Sequence, residues 1–279
     1  MVPVDHTLRH GRSARIVAAG LGAALILLAG MGAASADPKV AAPNSDVRCR
    51  AGAAQPAFQP ALPATQKALR ETGKLTIVAI GSSTTAGSGA SAEDMAYPAV
   101  LQDELRRRLP NADVTVINKG VGGQSAYEML LRMDTDVVEQ NPSVVIWQTV
   151  VNDAINHVSE DKLAKILRKG IQKVQGAGID MVMMDLPWLS RASRYPRYDD
   201  YRAVLKRTAD ENGVAIFPRY GMMRDWARSK RFTPEELVGM DGTHMVDAAY
   251  RCLAIRIADG IVGALTGAKP AIASGKATN

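Results

Sequence analysis

Five short runs of this chain read as strands: KLTIVAI, DVTVIN, SVVIWQTVV, IDMVMMDLP and VAIFP. All but the half-polar DVTVIN are largely apolar and do not alternate apolar with polar, as a strand wetted on one face would. Strands apolar on both sides must be covered on both sides. Stretches with helical spacing lie between and after the runs: YPAVLQDELRRRL with Pro98 in its first turn, SAYEMLLRM, EDKLAKILRKGIQKVQGAG closed by glycine, YDDYRAVLKRTADENG, and MVDAAYRCLAIRIADGIVGALTG. A short helix over ATQKALRETG, ending at Gly73, precedes the first strand. Apolar strands alternating with helices predict an α/β fold, a parallel sheet with helices on both faces. No internal repeat interrupts the order.

In open parallel sheets, ligands bind beyond the carboxyl ends of the strands. The residues just past each run therefore matter most. GSSTTAG, Gly81 to Gly87, comes after the first run, and NKGVGGQS, with Gly122 and Gly123, after the second. QTVVNDA, with Asn152, ends the third, and DGTH, with Asp241 and His244, precedes the last helix. Each feature has a plain reading. Small residues make turns, paired glycines suit any βα turn, asparagine bonds its own backbone, and an Asp three residues before a His is a surface pair or a cap. Together they supply a hydroxyl, a base with an orienting carboxylate, and oxyanion donors, the set a serine esterase needs. Beyond residue 36 the histidines are His157 and His244. His157 has no carboxylate three residues ahead of it and reads as part of an exposed loop.

The four segments, in this order, resemble the SGNH (GDSL-type) hydrolase family. The resemblance implies a three-layer α/β/α sandwich with a mostly parallel, flavodoxin-like five-stranded sheet. It implies Ser83 as nucleophile, Asp241 and His244 completing the catalytic set, and an oxyanion site formed by the Ser83 and Gly123 N–H groups and the Asn152 amide. Two positions depart from the family pattern. Ser82 stands where the family has aspartate, which implies a changed hydrogen-bond network. Val150 stands where the third block has glycine, which implies a narrowed acyl pocket or a displaced Asn152. The expected activity is hydrolysis of carboxylic esters, acetyl esters on glycans among them, through an acyl-serine intermediate, with no metal and no organic cofactor. The alternatives are a non-catalytic binder of envelope polysaccharide and an O-acyltransferase. Ser83 lies in no Gly-x-Ser-x-Gly elbow, and there is no P-loop, His-Glu-x-x-His or Gly-x-Gly-x-x-Gly motif. The loop LPWLSRASRYPRYDDY offers Trp188 and Tyr195 to stack on sugar rings and Arg191, Arg194 and Arg197 to pair with acidic groups, unless it is simply a solvated loop.

Composition bears on compartment and partners. Residues 1–15 carry Arg9, Arg12 and Arg15 against Asp5, residues 16–36 carry no charge, and the stretch ends in Ala34-Ser35-Ala36. This pattern describes a signal peptide over 1–36, cleaved after Ala36, and hence a periplasmic or secreted protein without stable membrane insertion. An uncleaved N-terminal membrane anchor is the alternative. The remainder divides into an Ala/Pro-rich lead-in with its short helix over 37–73, a hydrolase domain over 74–267, and a flexible tail over 268–279. Its charge is scattered: cleavage lowers the formal net charge from +6 to +4, by removing three basic residues and one acidic residue. No basic stripe interleaved with aromatics suits nucleic acid. The expected partner is a small-molecule or glycan ester. The two cysteines, Cys49 and Cys252, are expected to pair in an oxidising compartment, tying the lead-in to the last helix. Two separate buried thiols are the other reading.

Overall fold

In a computed structural model, residues 45–50, 58–189 and 195–266 are described. The signal-peptide segment, the tail, Arg191 and Arg194 lie outside the described residues. The strands are β1 (Lys74–Gly81), β2 (Asp113–Gly120), β3 (Val144–Gln148), β4 (Asp180–Met184) and β5 (Ala215–Phe217). All pair in parallel, in the order β2-β1-β3-β4-β5. This is the flavodoxin-like order, whose ligand crevice opens where the winding reverses, between β1 and β3.

The helices are α1 (Ser45–Arg50), α2 (Pro63–Thr72), α3 (Ser83–Ala86), α4 (Tyr97–Arg108), α5 (Ala126–Leu131), α6 (Met133–Asp136), α7 (Val151–Ile155), α8 (Glu160–Gly176), α9 (Tyr198–Glu211), α10 (Arg219–Arg228), α11 (Pro234–Leu237) and α12 (Asp247–Thr266). Strand residues alternate between two apolar layers, as a pleated strand requires. Ile77, Ala79, Val144, Ile146, Val182 and Met184 face one layer, with Leu101 and Leu105 of α4, Trp226 of α10 and Leu253 and Ile257 of α12. Val78, Ile80, Val145, Trp147, Met181 and Met183 face the other, with Met129 of α5, Leu167 and Ile171 of α8 and Leu205 of α9. The predicted three-layer sandwich is the observed one.

The differences from the expected elements are local. The third strand stops at Gln148, and its β-branched Thr149-Val150-Val151 turns into α7. SAYEMLLRM divides into α5 and α6 at Arg132, whose side chain reaches the Gly81 carbonyl at 3.2 Å, Gln124 at 2.6 Å and Asp136 at 2.6 Å. The lead-in is not wholly irregular. It forms α1, whose Cys49 is joined to Cys252 of α12 by a disulfide with the Cα atoms 5.0 Å apart. Among the described residues no helix is long and apolar enough to cross a membrane.

Candidate active site

β1 ends at Gly81, which lies opposite Gly120 on one side and Gln148 on the other. A Cβ on Gly81 would sit 2.1 Å from Thr85 Oγ1 and 2.8 Å from Gln148 Oε1. Only glycine lets the chain turn this tightly from strand into α3. The turn makes Ser83 the first residue of α3 and leaves it partly exposed between buried Ser82 and Thr84. Beneath it, buried Gln148 does much of the holding. Its Oε1 accepts from the Ser82 N–H at 3.0 Å and from the Thr85 hydroxyl at 3.1 Å, and its Nε2 donates to Ser82 Oγ at 3.1 Å. This is the network that accompanies serine at position 82.

Ser83 Oγ lies 2.9 Å from His244 Nε2, and His244 Nδ1 lies 2.6 Å from Asp241 Oδ2. The other Asp241 oxygen accepts the N–H groups of Thr243 at 2.8 Å and His244 at 2.9 Å. One carboxylate thus shapes the turn and orients the ring. Partial burial works to raise the Asp241 carboxyl, but the two N–H groups and the imidazole together bring it from 3.8 down to about 2. It is therefore an anion at neutral pH. With that acceptor beside it, the imidazole carries its proton on Nδ1, and Nε2 is free to accept from Ser83.

The donor side faces the same opening. Gly123 has φ +80, in the left-handed region, and a Cβ there would meet no atom within 4 Å. Asn152 Nδ2 donates to the Gln124 carbonyl at 2.8 Å. An amide has two N–H donors, so one bond fixes the glycine loop against α7 and the other hydrogen remains. Asp153, next in the chain, accepts the Ala126 N–H at 2.9 Å and so adds a second tie to α7, this one from α5. Burial raises its carboxyl, with the Ala126 N–H opposing. Among the described residues, the N–H groups of Ser83 and Gly123 have no protein acceptor.

A cavity of about 330 Å³ opens onto Ser83, Gly123, Asn152 and His244, with Val151, Ile155, Pro187 and Tyr195 as apolar wall. Tyr195 alone of the described Trp188–Arg197 candidates reaches it. Trp188 packs against the apolar layer of α4, α10 and α12, and Arg197 pairs with Glu160 and Asp200. Val150 does not line the cavity. Its side chain is buried in the apolar layer of α5, α8 and α9. His157 is exposed in the turn before α8. Among the described residues no group of three or more His, Cys, Asp or Glu side chains is placed to hold a metal ion. Gln148 was missed from sequence, although a lone glutamine closing the run VVIWQ was a usable signal.

A family model described as the non-GDSL lipase-like family matches residues 48–267. The chain is 29% identical over 115 residues to an uncharacterized lipoprotein, YqeF, of Bacillus subtilis, covering 39% of this chain and 46% of the lipoprotein, so the match spans less than half of that relative. It is 24% identical over 143 residues to an arylesterase of Vibrio mimicus, covering 51% of this chain and 69% of the arylesterase. Among solved structures, an acetyl xylan esterase, AlAXEase, superposes with a TM-score of 0.57 at 23% identity, over 66% of this chain and 98% of that one.

Proposed function

The chain belongs to the non-GDSL lipase-like family, of SGNH-type hydrolase architecture, and from that premise we propose that it hydrolyses carboxylic esters with Ser83 as nucleophile. The observation that carries the reading is the continuous relay Ser83–His244–Asp241, at 2.9 Å and 2.6 Å, opening on a cavity that also holds Asn152. The ester carbonyl enters the cavity. His244 Nε2 takes the Ser83 proton as Oγ attacks, and Asp241 stabilises the imidazolium. The N–H groups of Ser83 and Gly123 and the second Asn152 amide hydrogen receive the developing oxyanion. His244 then protonates the leaving alcohol. Water, deprotonated by His244, releases the acid from the acyl-serine and restores the hydroxyl.

The finer reading is an exported esterase that removes short acyl groups, acetyl groups on glycans among them. The basic, then uncharged, then small-residue N-terminus supports export, and the limited cavity beside Ser83 supports a short acyl group. Ser83→Ala is expected to abolish turnover of a short-chain p-nitrophenyl ester and labelling by a fluorophosphonate, with the circular dichroism spectrum unchanged. Wild-type turnover by Ser83→Ala would refute the assignment. A wild-type protein that neither turns over esters nor takes the label would favour a non-catalytic binder. An acetylated-glycan panel, run with and without an acceptor, tests the substrate and separates hydrolysis from transfer.

A further inference from the structure

Arg219 opens α10 directly after β5 and is fully buried. A buried cation is ordinarily paired with a carboxylate, because leaving water is costly. Arg219 is not. Among the described residues its guanidinium contacts are Thr84 Oγ1 at 3.4 Å and Met245 Sδ at 3.1 Å from Nη2, and Met184 Sδ at 4.0 Å from Nη1. Its Nε has no partner. Burial lowers its affinity for the proton, and buried Tyr97, Tyr198 and Tyr250 and nearby Asp185 oppose that. Asp185 is engaged by Arg202 at 2.8 Å instead.

The neighbours of this cation are not random. Thr84 is the residue after Ser83 in the chain, and Met245 the residue after His244. The hydroxyls of the three tyrosines also hold the site: Tyr97 pairs with Thr85 at 3.1 Å, Tyr250 donates to the Ser88 carbonyl at 2.7 Å, and Tyr198 donates to the Pro187 carbonyl at 2.9 Å. Thr85 and Ser88 belong to the nucleophile turn, and Pro187 to the cavity wall. An apolar side chain of similar volume would fill this space at lower cost. The placement makes sense if the guanidinium serves the site rather than the core.

We propose that Arg219 is a positioning residue for the esterase reaction: from behind the site, its guanidinium ties the turn carrying Ser83 to the loop carrying His244 and so sets the distance between them. This rests on the reading of Ser83 and His244 as the reacting pair. Because it acts on alignment and not on substrate contact, it affects kcat rather than KM. Because its burial is unfavourable, stability moves the opposite way from activity.

The test is Arg219→Met in the full chain. The expected result is a kcat roughly 10- to 100-fold lower, a KM within about twofold, and a Tm equal to or above wild type. A crystal structure of the variant is expected to show Ser83 Oγ and His244 Nε2 beyond hydrogen-bond distance. An unchanged separation, an unchanged kcat, or a chain that melts lower or fails to fold would overturn the proposal, the last making Arg219 a stability residue. The separation is read without turnover. If the wild-type protein hydrolyses no ester, the esterase reading falls while the positioning claim is still decided.

Discussion

Val150 has φ +78 and ψ −25 as the residue capping α7. The left-handed region crowds any Cβ and is a real outlier for a branched one. Strain of this kind costs on the order of 1–3 kcal/mol. The side chain is only 1% exposed, and burying a valine contributes roughly 1.5–3 kcal/mol. The two effects nearly cancel, which explains how valine persists at a turn suited to glycine. Val150→Gly relieves the strain but loses the packing, so its stability is expected within about 1 kcal/mol of wild type. Val150→Ala loses most of the packing and keeps a Cβ in the left-handed region. It should be the less stable of the two, reversing the usual advantage of alanine over glycine. Urea unfolding of both variants checks the order; an alanine variant more stable than the glycine one would mean the turn is not held in this conformation.

The ends of β1 and β3 are joined through one side chain. Gln148 serves the Ser82 N–H, the Ser82 hydroxyl and the Thr85 hydroxyl where water is excluded. Leucine there has similar bulk but leaves the Ser82 N–H and hydroxyl unpaired, while Thr85 keeps Tyr97, and each orphaned buried group costs about 1–3 kcal/mol. Gln148→Leu is expected to lower the unfolding free energy by roughly 2–4 kcal/mol with an unchanged m-value, and to reduce ester turnover by loosening the turn that presents Ser83. A wild-type urea midpoint would remove Gln148 from this role. The long elements were legible because their periodicity survives in sequence. The end of β3 was not, because Thr149, Val150 and Val151 favour strands locally, whereas the chain must turn there to bring Asn152 beside the Gly123 loop. α10 and α11 were not read from sequence at all. α10 is dense in arginine and methionine, and α11 is a single turn after a threonine cap.

Across the molecule, α1 is held far from its place in sequence. Arg48 pairs with Glu236 and Arg50 with Asp259, and Trp226 donates to the Cys49 carbonyl. The half-exposed Arg48–Glu236 pair contributes about 0–1 kcal/mol, and the buried Asp259 that Arg50 meets is also held by Arg108 and Arg256. The Cys49–Cys252 disulfide spans 203 positions, and loss of such a bridge costs about 2–5 kcal/mol. It is therefore the dominant attachment of α1. Cys49→Ala with Cys252→Ala is expected to lower stability by that amount in denaturant, with ester turnover kept at 25 °C because neither cysteine lines the cavity. Identical midpoints for this double variant and the oxidised wild type would show that the ion pairs and packing suffice.

The sequence by itself determined the layered fold, since five strand-like runs, four of them largely apolar, separated by amphipathic ones leave no other economical burial. It also marked the strand ends where chemistry gathers, and there Ser83, Gly123, Asn152, Asp241 and His244 stand around one opening. Only the tertiary structure decided how those segments are joined. The Gln148 bonds, the second tie through Asp153 and the contacts of Arg219 link residues 26 to 135 positions apart. Spacing along a chain records which face a residue takes within its own element. Which polar atoms meet across elements depends on how those elements pack, and no local pattern encodes it.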